Sequence, residues 1–142
     1  MTGVDLSSQA TNLEIIFVDW LDATRRHDLD RLSARLAPDV VHEGVRAGLV
    51  CRGRDAVLER VRARGTQHPR VSAIELIEAG DHVVMSVRAP TVGAPVQDHG
   101  PQRGQATIVF TMRDGLIVRM QDYLSRADAL AALGRTVDDV WQ

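Results

Sequence analysis

The histidine and cysteine side chains limit the chemistry that this chain of 142 residues could perform. No two of its five histidines have the spacing of metal ligands on one helix, and no carboxylate cluster completes a site. Cys51 is the single cysteine, which excludes an internal disulfide and a thiolate cluster. We therefore expect no metal site and interpret Cys51 as a small buried or semi-buried side chain.

His42 differs from the other histidines in its position. It lies in residues 39–45, which alternate like a strand and place Val40, His42 and Gly44 on one side. An imidazole on a strand either makes one structural hydrogen bond or transfers protons. The remaining histidines lie at predicted turns or element ends, where we expect inert, solvated side chains: His27, His68, His82 and His99.

Several classes of function are excluded. The sequence has no Gly-x-Ser-x-Gly elbow and no glycine-rich phosphate loop after a strand, so a serine nucleophile and a nucleotide cofactor are not predicted. A net charge of -2 provides no basic field for nucleic acid. No apolar stretch approaches the roughly 18 residues of a membrane span, and no signal-peptide pattern opens the chain. We expect a cytoplasmic protein.

Three helices are predicted before the meander of strands, with the extended residues 39–45 between the second and the third. The first begins at a capping box of Thr11 and Glu14, and its apolar face consists of Leu13, Ile16, Phe17, Trp20, Leu21 and Thr24. The second begins at Asp28, ends before Pro38 and buries Leu29, Leu32 and Leu36. The third covers residues 54–64, with Ala56, Val57 and Val61 facing inward.

After the third helix the apolar period changes to two. Strands are predicted at residues 71–77, 82–91, 105–112 and 116–124. Gly80-Asp81 and Asp114-Gly115 are typical of hairpin turns and predict antiparallel pairing. The Gly- and Pro-rich residues 90–104 are interpreted as a long connection between paired strands.

The C-terminal part should form one more helix. Ser125 and Asp128 resemble a capping box, and the helix should end at Gly134. Trp141 is expected to pack against this subunit or a partner. Helices followed by a meander of strands predict a single α+β domain over residues 1–142, with a core at about 11–134 and flexible residues 1–10.

Two motifs carry a resemblance to a known family. Residues 53–57 (GRDAV) and residues 114–123 (DGLIVRMQDY) resemble the opening of the third helix and the last strand of SnoaL-like proteins. These belong to the nuclear-transport-factor-two-like superfamily. The resemblance implies a cone-shaped, curved, mixed but mostly antiparallel sheet, packed on the N-terminal helices and enclosing an apolar pocket. It also implies a homodimer.

The resemblance assigns candidate catalytic residues. The general-base carboxylate of the similar limonene epoxide hydrolases falls on Asp122, and their water-holding tyrosine falls on His42. Their asparagine falls on Gly44, while their arginine and acid fall near Val87 and Ala89, with Arg88 one position away. The resemblance to polyketide cyclases, ketosteroid isomerase and scytalone dehydratase implies proton transfer by Asp122 with His42 as its partner.

Nine further residues could line a ligand pocket or could equally belong to an ordinary core. They are Trp20, Leu21, Thr24, Val87, Ala89, Ala106, Ile108, Met120 and Leu124. We therefore expect a cofactor-independent isomerase, cyclase, dehydratase or hydrolase that acts on a small hydrophobic molecule. A non-catalytic ligand-binding or dimerisation domain is the alternative. A small, filled or closed cavity, with His42 and Asp122 bonded to the backbone, would favour it.

Overall fold

The structure is a computed structural model, and it describes residues 10–64, 73–88 and 105–135. A continuous first helix, α1, consists of Asn12–Glu14, the π-helical Ile15–Trp20 and Leu21–Arg26. The other helices are α2 (Leu29–Ala34), α3 (Arg54–Arg64) and α4 (Arg126–Ala132). The strands are β1 (Leu36–Glu43), β2 (Val50–Arg52), β3 (Ala73–Ala79), β4 (His82–Arg88), β5 (Gln105–Arg113) and β6 (Leu116–Tyr123).

The start of α1 is as predicted, but one residue of its predicted buried face, Phe17, is exposed. Thr11 and Glu14 form the reciprocal capping box. In the π-helical turn the amide of Leu21 donates to the carbonyl of Ile16, five residues earlier, which widens the helix. Ile16 and Trp20 are buried, whereas the side chain of Phe17 is 57% exposed. The prediction for Phe17 was wrong because it assumed a regular α-helical period.

A network of ion pairs joins α1 to α2. Asp28 caps α2, as predicted, by accepting a hydrogen bond from the amide of Arg31. The guanidinium of Arg31 bridges Asp19 and Asp22, and the Arg35 guanidinium donates to Asp19. Hydrogen bonds from Arg31 and Arg26 lower the pKa of Asp22 to about 2, from an ordinary value of 3.8. Arg31 and Arg35 similarly lower the pKa of Asp19.

The boundary between α2 and β1 lies earlier than predicted. Leu36 is buried, but it belongs to β1 and pairs with Ile117 of β6 instead of completing α2. Pro38 lies inside β1, within a register irregularity between Leu36 and Val41. A bulge tolerates the missing amide of proline, which a regular ladder does not. The short strand β2 was not predicted.

The six strands form one sheet in the order β2-β1-β6-β5-β4-β3. β3 to β6 are antiparallel neighbours. The predicted turns join β3 to β4 and β5 to β6, and in the second turn Asp114 and Gly115 have positive φ angles of 53° and 78°. β1 pairs in parallel with β6 and antiparallel with β2. This mixed sheet with its helices confirms the predicted α+β fold.

Each face of the sheet has its own apolar cluster. The inner face packs on α1, α2 and α3 around a cluster that includes Trp20, Phe110 and Met120. The rings of Trp20 and Phe110 meet edge to face, with centroids 6.0 Å apart. The outer face carries a smaller apolar cluster under α4. The side chain of Ser125 caps α4 by accepting a hydrogen bond from the amide of Asp128.

Several predictions concern residues outside the described ranges. These are the flexible N-terminal residues 1–9, the connection at 90–104, the packing of Trp141, the inertness of His68 and His99, and the lining role of Ala89. Among the described helices, none is long and apolar enough to cross a membrane.

Candidate functional site

The register of the sheet places His42 and Asp122 on the same face. His42 of β1 lies opposite Met120 of β6, and Asp122 follows Met120 by two residues. Side chains two residues apart along a strand point to the same face. On the next strand, Ile108 lies opposite Asp122 and therefore faces the same side. The parallel pairing of β1 with β6 thus builds a cluster on the inner face.

A hydrogen bond joins the two candidate catalytic residues. Nε2 of His42 lies 2.9 Å from Oδ1 of Asp122. If the carboxylate is the acceptor in this bond, Nε2 of a neutral imidazole donates and Nδ1 is left without a proton. Nδ1 has no hydrogen-bond partner within the described ranges. The two side chains are 13% and 22% exposed, so the pair is shielded from water but not sealed.

A cavity of about 160 Å³ lies beside this pair, between the inner face of the sheet and the helices. Its lining combines apolar side chains with a few polar ones. The lining residues are Trp20, Leu21, Thr24, His27, His42, Val57, Arg60, Val61, Met85, Ile108 and Met120. His42 lines the cavity, whereas Asp122 is not among these residues. Asp122 is linked to the cavity by its hydrogen bond to the imidazole of His42.

The structure places some of the residues expected to line the pocket at the cavity and others away from it. It brings together Trp20, Leu21, Thr24, Ile108 and Met120 around the cavity. Val87, Ala106 and Leu124 are not among its lining residues. Val87 packs against the inner cluster, and Ala106 is exposed. The predicted places of Val87 and Ala106 depended on where β4 and β5 meet the cavity, which a period of two does not determine.

His27 and Arg60 line the cavity although sequence reasoning did not select them. His27 ends α1 in the left-handed region, at φ 55°, which directs the chain back toward α2. Arg60 lies three residues after Val57 and one before Val61 on α3, a spacing that places all three on one helical face. The sequence did carry a signal for Arg60, because it is a charged residue on the apolar face of α3.

The asparagine position of the epoxide hydrolases has no room for a side chain here. A Cβ atom added to Gly44 would lie 2.9 Å from Cβ of Leu49. Val87 likewise has no group that could act as an acid or a base. The His42–Asp122 pair therefore lacks the other polar side chains that the resemblance to epoxide hydrolases implies. Among the described residues, no group of three or more histidine, cysteine or acidic side chains could hold a metal ion.

Solved structures similar to this chain share its fold. A proposed polyketide cyclase from Sinorhizobium meliloti is 26% identical, with a TM-score of 0.55 and coverage of 84% of this chain and 100% of that one. A proposed ketosteroid isomerase from Kribbella flavida is 19% identical, with a TM-score of 0.59 and coverage of 78% and 76%. A proposed polyketide cyclase from Pseudomonas putida is 17% identical, with a TM-score of 0.61 and coverage of 86% and 97%.

The sequence of the chain also matches a family model, which assigns a family where the structural similarities show only the fold. None of the curated proteins compared with this chain matches it. Residues 17–120 match the SnoaL-like domain, and this range includes α3, His42 and most of the sheet. The chain therefore belongs to the SnoaL-like domain family.

Proposed function

We propose that this protein is a cofactor-independent enzyme that moves protons on a small, mostly apolar molecule. The observation that carries the proposal is the 2.9 Å hydrogen bond between His42 and Asp122 at the wall of the cavity. A histidine next to a carboxylate can take up a proton and return it, which is the requirement for general acid–base catalysis. Isomerisation, cyclisation and dehydration all use such a step.

The proposed roles differ from those expected from the resemblance. Because His42 lines the cavity and Asp122 does not, we assign proton transfer to Nδ1 of His42. Asp122 is a positioning residue, which holds Nε2–H and thereby selects the tautomer with an unprotonated Nδ1. Its negative charge also stabilises the imidazolium that forms when Nδ1 accepts a proton.

The proposed step begins when Nδ1 of His42 removes a proton from a carbon or hydroxyl group of the bound molecule. The electron pair left behind moves into the substrate, and the imidazolium is held by the Asp122 carboxylate. The same proton then returns to a second atom, which completes an isomerisation or cyclisation without a cofactor. The apolar lining strengthens these charge interactions because it excludes water.

A nitrobenzisoxazole tests the proposal without knowledge of the natural substrate. A base removes its ring C–H proton, the N–O bond breaks, and a coloured cyanophenolate forms. The wild type should open this ring faster than an equal concentration of free imidazole. His42→Gln and Asp122→Asn should each lose at least about a hundredfold in rate, the low end for the removal of general catalysis.

His82→Gln provides the matched control. His82 lies on β4, is bonded to Thr111 and does not line the cavity, so this variant should keep the wild-type rate. Circular dichroism and thermal unfolding would show that each variant keeps its fold. Wild-type rates in His42→Gln, or a wild type no faster than free imidazole, would contradict the proposal.

The alternative, a non-catalytic ligand-binding or dimerisation domain, predicts a different arrangement of the site. It expects a small, filled or closed cavity, with His42 and Asp122 bonded to the backbone. Here the two side chains are hydrogen-bonded to each other and, among the described residues, not to the backbone, which supports acid–base chemistry over binding alone. The homodimer and the cytoplasmic location remain predictions.

A further inference from the structure

We propose that Arg60 makes the cavity selective for a small molecule that carries a carboxylate on an apolar body of about one ring. This inference rests on the proposed function, because it assumes that the cavity is the substrate site. It adds a specificity-determining residue and narrows the substrate from a hydrophobic molecule to an amphipathic anion.

The position of Arg60 on α3 is the first support. Val57, Arg60 and Val61 share the face of α3 that lines the cavity. The next arginine, Arg62, is on the solvent side, where it is 59% exposed and donates to Glu59. An arginine that served only solubility would be expected on the face of Arg62. Arg60 is instead half-buried beside apolar side chains.

The contacts of Arg60 are the second support. Its Nη1 lies 4.0 Å from Sγ of Cys51, and a thiol is a weak acceptor. Within the part of the chain that the structure describes, no carboxylate lies within ion-pair distance of Arg60. An arginine guanidinium pairs best with a planar anion through two parallel hydrogen bonds. A ligand carboxylate would supply that partner.

The relation of Arg60 to His42 is the third support. Cys51, which contacts Arg60, lies directly opposite His42 in the β1–β2 pair. The Cβ atoms of such opposed residues are about 4.5–5.5 Å apart. The guanidinium and the imidazole therefore border the same part of the cavity. A carboxylate on Arg60 would hold the rest of the molecule against His42.

The cavity size sets the class of molecule. A cavity of about 160 Å³ is close to the roughly 150 Å³ of an engineered apolar cavity that binds benzene. One ring fits such a space, with its body against Trp20, Leu21, Met85 and Met120. The hydroxyl of Thr24 and the imidazole of His27 add polar groups at the end of α1.

Benzoate and benzyl alcohol are the probes, because they share a ring and differ in charge. Their affinities would be measured by NMR titration of the complete chain, with the indole signal of Trp20 as the reporter of the cavity. The wild type should bind benzoate at least about tenfold more tightly than benzyl alcohol, as a charge-assisted pair predicts. Arg60→Gln should lose this preference, while Arg60→Lys should keep part of it.

Arg62→Gln is the matched control, since it removes one arginine from the opposite side of the same helix and should leave the preference unchanged. Equal affinity of the wild type for both probes would overturn the inference, and so would a benzoate preference that survives in Arg60→Gln. Binding that leaves the Trp20 signal unmoved would overturn it as well, because the site would then lie elsewhere.

The two proposals can fail separately. An Arg60-dependent preference for benzoate, together with wild-type ring opening by His42→Gln, would support this inference and contradict the acid–base proposal. Loss of ring opening in His42→Gln, together with equal binding of the two probes, would overturn this inference alone.

Discussion

His42 and Asp122 are separated by 80 positions in the chain, and a parallel strand pair brings Nε2 and Oδ1 to 2.9 Å. The irregularity between Leu36 and Val41 sets this register, because it shifts β1 relative to β6 before His42 is reached. A slip of one residue would turn one of the two side chains to the outer face. The candidate site therefore depends on an irregularity of β1 that lies outside it.

The tautomer of His42 is the first prediction. In the neutral ring, Nε2 should carry the proton and Nδ1 should not, because Asp122 accepts from Nε2. Asp122→Asn should weaken this selection, since an amide can donate or accept. Long-range proton–nitrogen NMR measures both nitrogens. His82, which is bonded to Thr111, is the control and should be unaffected. A wild-type ring with its proton on Nδ1 would contradict the assigned roles.

The packing of Phe110 is the second prediction. Its side chain is fully buried and contacts the ring of Trp20. Phe110→Ala should lower the free energy of unfolding by about 3–5 kcal/mol, the usual cost of a large cavity in a core. Phe17→Ala removes a ring that is 57% exposed and should change it by less than about 0.5 kcal/mol. Urea unfolding of both variants measures the difference. Equal losses would show that α1 buries a different face.

The acid sensitivity of the α1–α2 network is the third prediction. Arg31 and Arg26 hold the pKa of Asp22 at about 2, below its ordinary 3.8. The folded state thus favours the ionised carboxylate, and this contribution is complete above about pH 3.8 and disappears as the pH falls toward 2. The stability advantage of the wild type over Asp22→Asn should shrink across that window.

Denaturant unfolding at a series of pH values measures this advantage. Asp30→Asn is the control, because Asp30 is exposed and has no ion pair among the described residues. Its difference from the wild type should show no comparable change between pH 3.8 and 2. An Asp22 advantage that persists unchanged down to about pH 2 would mean that the network does not contribute in solution.

Local signals in the sequence determined the starts of the helices and the hairpin turns. Thr11, Asp28 and Ser125 cap helices through amides three residues away, and Asp114-Gly115 forms its turn from its own backbone preferences. Such features need no distant contact, so their residue types alone predict them. The family motifs likewise identified the fold, because residues 17–120 carry the SnoaL-like pattern.

Tertiary structure decided the features that depend on distant partners. Leu36 joined β1 because β6 supplies its partner, and Phe17 turned outward because a π-helical turn altered the face of α1. The direction of Arg60 followed from the packing of α3 beside the cavity. The sequence alone identified His42 and Asp122 as side chains that could transfer a proton. Their shared hydrogen bond required the β1–β6 register, which periodicity cannot specify because every register preserves the same alternation.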